Sequence, residues 1–140
     1  MDKFSDYSPE VHQFLIRLRA LIADLWFPSE GESTWSLRVW AEGTPDLAVL
    51  CADLQQPADA AISPLTLEKF LEQVERRCRG YGSEGREIAL RHRALMAYCT
   101  HELQALQVLR IGEEPVVAIA ILGTTAEGSA IALYTQSIET

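Results

Sequence analysis

Two places in this 140-residue chain set polar groups where they could do chemistry. The chain ends on Glu139-Thr140, directly after what reads as a strand from Ser129 to Ile138. A terminal threonine carries a hydroxyl and an ionised carboxylate on one residue, because an α-carboxyl titrates near about pH 3.5. A strand would aim both in a fixed direction; the plainer alternative is that the protein simply ends there. The second place is the acidic corner Phe27-Pro28-Ser29-Glu30-Gly31-Glu32. Glu30 and Glu32 could form an acid/base pair, but neighbouring loop carboxylates are ordinarily solvated.

Other apparent motifs dissolve. Gly80-Tyr81-Gly82-Ser83-Glu84-Gly85 has the glycine spacing of a dinucleotide-binding turn, yet a helix precedes it where that turn requires a strand. His92, Cys99 and His101 fit no zinc spacing, and on a helix Cys99 and His101 point about 200° apart. They read as a buried thiol and two surface histidines. No nucleophile elbow or zincin pattern appears, and no Ser, His or Asp stands in a context that would activate a nucleophile. The expectation is a protein that is not an enzyme and has no metal or cofactor of its own.

Composition narrows the partners. A net charge of -8 disfavours DNA, RNA and anionic lipid, which are attracted by clustered Lys and Arg, and favours basic partners. Residues 1–68 hold eleven acids and four bases, giving -7, and residues 69–140 hold nine acids and eight bases, giving -1, so the N-terminal half is the acidic one. Arg76, Arg77, Arg79, Arg86, Arg91 and Arg93 concentrate positive charge in one stretch, expected to be helix faces solvated with Glu72, Glu75, Glu84 and Glu87 as counterions. The longest apolar run, Val116 to Leu122, is too short to span a bilayer. Met1 to Asp6 lacks the features of a signal peptide, which implies a cytoplasmic protein. Cys51, Cys78 and Cys99 are odd in number and set among apolar residues, so reduced core thiols are expected.

The elements that must position these groups follow from periodicity. Ser8-Pro9-Glu10 opens a helix running to about Trp26, with Val11, Phe14, Leu15, Leu18, Leu21, Ile22 and Leu25 on one stripe. Thr34 to Trp40 alternates as a half-buried strand, with Trp35, Leu37 and Val39 on one side. Leu47 to Leu54 reads as a second strand and Gln55 to Pro64 as a loop. Thr66 caps a second helix bearing Leu67, Phe70, Leu71, Val74 and Cys78 on one face, with Leu65 stapling to Phe70. A third helix runs from about Glu84 to Leu103. Gln107 to Ile111, Val116 to Leu122 and Ser129 to Ile138 are strands, the last two joined by the glycine-bounded Gly123 to Gly128 connection. Val116 to Leu122 is apolar on both faces, so helices should cover both sides of the sheet. The fold class is α/β, a three-layer α/β/α sandwich with a mainly antiparallel sheet, in one domain over residues 1–140.

Leu25-Trp26-Phe27-Pro28-Ser29-Glu30-Gly31-Glu32, Trp35-Ser36-Leu37-Arg38-Val39-Trp40, Gln107 to Glu113, Gly123 to Gly128 and Thr135 to Thr140 resemble, in order and spacing, the inhibitor of the cyanobacterial nuclease A. Residues 44–64 and 76–86 correspond only loosely. The resemblance implies a small acidic protein, a monomer when free, that blocks a metal-dependent, sugar-nonspecific endonuclease one to one. It implies that Glu30 and Thr140 enter the enzyme's active site, with Glu139 alongside and Thr140 approaching the metal. Where the inhibitor has an aromatic residue in an acidic loop, this chain has Arg77-Cys78-Arg79-Gly80-Tyr81-Gly82. Tyr81 can take the aromatic role, but the charge is reversed. The alternative is a protein-interaction module of the same fold whose partner is not a nuclease.

Overall fold

A computed structural model describes residues 8–139; the expectations for Met1 to Asp6 and for Thr140 lie outside them. Helix α1 (Pro9–Ile22) opens as its sequence demands, with the Ser8 hydroxyl accepting from the Val11 N–H at 3.2 Å, proline in the first turn and Glu10 against the helix dipole. It stops short of Trp26. Asp24 turns to a positive φ of 58°, and Arg91 donates to the carbonyls of Leu21 at 3.4 Å and Ala23 at 2.6 Å, placing a cation at the helix C-terminus.

Trp26 to Pro28 then pairs as β1 with β2 (Glu32–Thr34) in a small antiparallel ribbon folded around the acidic corner. The single strand expected from Thr34 to Trp40 is therefore broken at Trp35, which is buried, and resumes as β3 (Ser36–Trp40).

Leu47 to Leu54 is not a strand. It forms helix α2 (Leu47–Asp53) followed by Leu54, and the reason is its burial phase: Leu50, Cys51 and Leu54 are buried, whereas Leu47 and Val49 are exposed. A strand would have buried alternate residues. The Asp53 carboxylate accepts from Trp40 Nε1 at 2.9 Å and Arg38 Nη2 at 3.2 Å, fastening the end of α2 to β3. The expected loop likewise contains a strand, β4 (Ile62–Leu65), on which Pro64 is tolerated because β4 lies at the sheet edge.

Helix α3 (Leu67–Cys78) has the expected cap, Thr66 Oγ1 accepting from the Lys69 N–H at 3.1 Å. A 3-10 turn at Arg79–Tyr81 leads into α4 (Gly82–Glu102). Strands β5 (Gln104–Ile111), β6 (Val116–Thr124) and β7 (Ala130–Ile138) complete a five-stranded antiparallel sheet of order β3-β7-β6-β5-β4. Alternation divides the core. Val108, Val117, Ile119, Ile121, Ile131 and Leu133 join α1, α3 and α4 in one apolar cluster. Leu109, Ile111, Ala118, Ala120, Leu122 and Ala132 meet Leu50, Cys51 and Leu54 in another. The three cysteines are buried free thiols, and burial pushes Cys99 up to about 12.

His92 departs from its expected place on the surface. It is fully buried beside Phe27, Trp35 and Phe70. Its Nε2 lies 3.0 Å from Trp35 Nε1 and its Nδ1 2.9 Å from the Ile88 carbonyl. The indole must donate to Nε2, so the proton sits on Nδ1 and donates to Ile88. Burial pushes this imidazole down to about 4, with the Arg91 charge adding to the effect against the Ile88 bond.

Candidate functional site

The ribbon β1–β2, the 3-10 turn and the end of β7 meet around a concavity of about 450 Å³ lined by Pro28, Ser29, Glu30, Arg77, Tyr81, Ile138 and Glu139. Three sequence-derived candidates, Glu30, Tyr81 and Glu139, thus converge. The fourth, Thr140, lies outside the described residues.

The corner is built by one hydroxyl. Ser29 Oγ donates to the Gly31 carbonyl at 2.8 Å and accepts from the Gly31 N–H at 3.2 Å, closing a local turn. The same oxygen accepts from the Ile138 N–H at 3.1 Å, and the Glu30 N–H donates to the Ile138 carbonyl at 3.2 Å. Segments 109 residues apart are thereby stitched together, with the Glu30 residue exposed beside them. Gly31 is needed at this approach, since a Cβ there would fall 2.8 Å from Ile138 Cγ1.

Tyr81 is 40% exposed and stands edge-on to Trp26, ring centroids 4.9 Å apart. Gly85 packs so closely on the turn that a Cβ would overlap the Cys78 carbonyl.

Arg77 does not follow the expectation of a solvated cation. It lies over the Phe27 ring, 5.8 Å from its centroid, and Nη1 donates to the Pro28 carbonyl at 3.3 Å and reaches Ser137 Oγ at 3.5 Å. Arg91 also turns inward, to the end of α1. Arg93 follows the expected pattern, paired with Glu75, and Arg76, Arg79 and Arg86 are exposed as expected.

Glu139 turns its carboxylate into the protein. Arg110 grips it with two bonds, Nη1 to Oε2 at 2.6 Å and Nη2 to Oε1 at 2.5 Å, and Ser137 Oγ donates to Oε2 at 2.7 Å. The Arg110 bonds hold the Glu139 carboxyl below its usual range, with Ser137 and Arg77 assisting against partial burial.

Ser29, Arg110 and Ser137 were not read from the sequence as site residues, and Arg77 was read only as a solvated cation in a charge-reversed loop, although two signals existed. Ser-x-Gly is a turn-forming pattern, and Arg110 interrupts an apolar strand, where a cation needs a partner. Among the described residues, no group of three or more His, Cys, Asp or Glu side chains is placed to hold a metal ion. No helix there is long and apolar enough to cross a membrane.

These features define a small mixed α/β protein that presents a charged, aromatic-edged concavity where three distant segments meet. Residues 12–140 match the family model of the nuclease A inhibitor-like proteins, and the chain belongs to that family. No curated protein gives a significant match to the chain. The family is one of inhibitors, which points to a protein partner such as a nuclease.

Proposed function

We propose that this protein inhibits a metal-dependent, sugar-nonspecific endonuclease by occluding its active site, performing no catalysis of its own. The observation that carries the reading is the convergence of Glu30, Tyr81 and Glu139 on one concavity in a chain of the inhibitor family. A nuclease cleft that binds polyanions is basic and holds a divalent cation, so a carboxylate from Glu30 can stand in for a phosphate oxygen. Tyr81 supplies rigid aromatic contact area beside it. Thr140, the next residue after the anchored Glu139, is the group assigned to the partner's metal. The net charge of -8 speeds encounter with a basic cleft.

In the same reading the chain is a monomer that binds its nuclease one to one in the cytoplasm. Its architecture is a three-layer α/β/α sandwich in which α2 forms the third layer, a view supported by the two apolar clusters and the alternation of β6 between them.

Inhibition assays test this directly. Glu30→Gln should weaken inhibition by about 2 kcal/mol or more, as at an interface hot spot, with stability held within about 0.5 kcal/mol, as at an exposed position. Equal inhibition by the variant and wild type removes Glu30 from the contact. Thr140→Ala should weaken inhibition by about 1 to 2 kcal/mol in a folded protein, because it removes one hydroxyl contact; undiminished inhibition removes Thr140.

A second reading has one observation in its favour. Arg77 lines the concavity, and Arg76 and Arg79 stand exposed nearby. A basic nuclease surface facing them would be repelled, at a cost of several kcal/mol per unfavourable juxtaposition. The protein would then be an interaction module whose partner is not a nuclease. Co-purification from the native host separates the two readings by the partner recovered.

A further inference from the structure

Arg110 is absent from the lining of the concavity, yet it makes the best-formed charged contact of the region. It sits on β5, two strands from β7 across the intervening β6, and reaches over that strand to take both oxygens of Glu139. A pair with side chains 33% and 16% exposed contributes modestly to global stability. Its two-pronged geometry, however, fixes direction as well as distance, as only a guanidinium on a carboxylate can.

What that direction governs can be followed bond by bond. The held carboxylate accepts from Ser137 Oγ, and the Glu139 N–H donates to the Pro115 carbonyl at 2.8 Å, so both sides of Ile138 are fixed. Ile138 in turn carries the corner through the Ser29 Oγ and Glu30 N–H bonds and through its packing under Gly31. Arg77 closes the circuit from the other side by touching Ser137 and the Pro28 carbonyl.

We propose that Arg110 is a positioning residue: through Glu139 and Ile138 it holds the Ser29–Gly31 corner and the end of β7 as one preformed element. Glu139 is then the anchor of that element. This inference rests on the inhibitory reading for its functional consequence, since a corner fixed in its bound geometry loses less conformational freedom on docking.

The test uses the full-length chain and two measurements. Amide hydrogen exchange on the free protein compares wild type with Arg110→Met and Arg110→Lys. In Arg110→Met the amides of Ile138 and Glu30 should exchange about tenfold faster while those of Ile121 and Leu133, central in the β6–β7 ladder, keep their rates. Arg110→Lys keeps the charge without the fork and should fall between. Nuclease titrations should show about tenfold weaker inhibition for Arg110→Met, again with Arg110→Lys intermediate. If Arg110→Met does not fold, Glu139→Gln removes the same pair. Unchanged exchange at Ile138 and Glu30 in a folded variant overturns the positioning role, and so does unchanged inhibition. A wild type that inhibits no nuclease defeats the inhibitory reading instead, while the exchange rates still decide whether Arg110 holds the corner.

Discussion

Two polar assemblies tie distant segments of this protein, and they differ in charge and in wetness. Trp35, His92 and Ile88 form a neutral, fully buried chain between the strand region and α4. Arg110, Glu139, Ser137, Arg77 and Ser29 form a charged, partly exposed network around the buried Ser137 at the end of β7. In the first, every donor has a fixed acceptor in a dry interior, so losing one member leaves a buried group unpaired at full cost. In the second, water can replace a lost partner. The contrast assigns stability to the dry assembly and the shape of the site to the wet one.

The largest expected effect breaks the dry assembly. His92→Ala leaves the Trp35 N–H unpaired and opens a cavity among Phe27, Trp35 and Phe70, at a cost of about 4 kcal/mol by urea unfolding. A loss below about 1 kcal/mol would mean that the interior tolerates the vacancy and that the contrast is false.

Acid should attack the same assembly next. The unfolded His92 takes its proton near 6.5 and the folded one near 4. Between those values the unfolded chain binds more protons, so the contribution is complete above pH 6.5 and is lost as pH falls to 4. The size is on the order of 3 kcal/mol. Urea midpoints across that window should slope for wild type and flatten for His92→Ala; parallel curves would exclude His92 as the source.

The smallest effect concerns the wet network. Glu139→Gln should lower stability by no more than about 1 kcal/mol, since the pair is partly exposed and water rescreens Arg110. The folded Glu139 carboxyl lies below its ordinary 4.5, so its contribution is present above that value and fades only as pH drops further. Thermal melts at pH 7 and pH 3 check both statements. A loss as large as that of His92→Ala would erase the distinction.

Sequence periodicity located α1, α3, α4 and β5 to β7 because each carries its pattern over enough residues to set a phase. Leu47 to Leu54 failed for the opposite reason: seven of its eight residues are apolar, and a short apolar run has no polar face to reveal its period. Exposed Leu47 and Val49 show that its apolar surface was never all for the core. His92 was read as a surface histidine only because it fits no metal-ligand spacing, yet Ile88, His92, Leu95, Met96 and Cys99 recur at helical spacing, which puts the imidazole on the buried stripe. Glu30, Tyr81 and Glu139 were legible as candidates from the family resemblance. Their joining through Ser29, Arg77 and Arg110 was not, because those bonds cross between elements and leave no local pattern.

The close packing of Gly85 on Cys78 has a consequence for how recognition can change. The close approach beneath the turn helps set its backbone path, so the exposed side chains of Arg79 and Tyr81 project from a support that Gly85 holds against Cys78 and the Tyr81 Cβ. A lineage can reverse the charge at 79 or exchange the ring at 81 and keep the same scaffold underneath. Specificity for a partner and foldability are therefore separable in this region, and an engineer could retarget the surface by rewriting the turn's outward side chains while leaving Gly85 untouched.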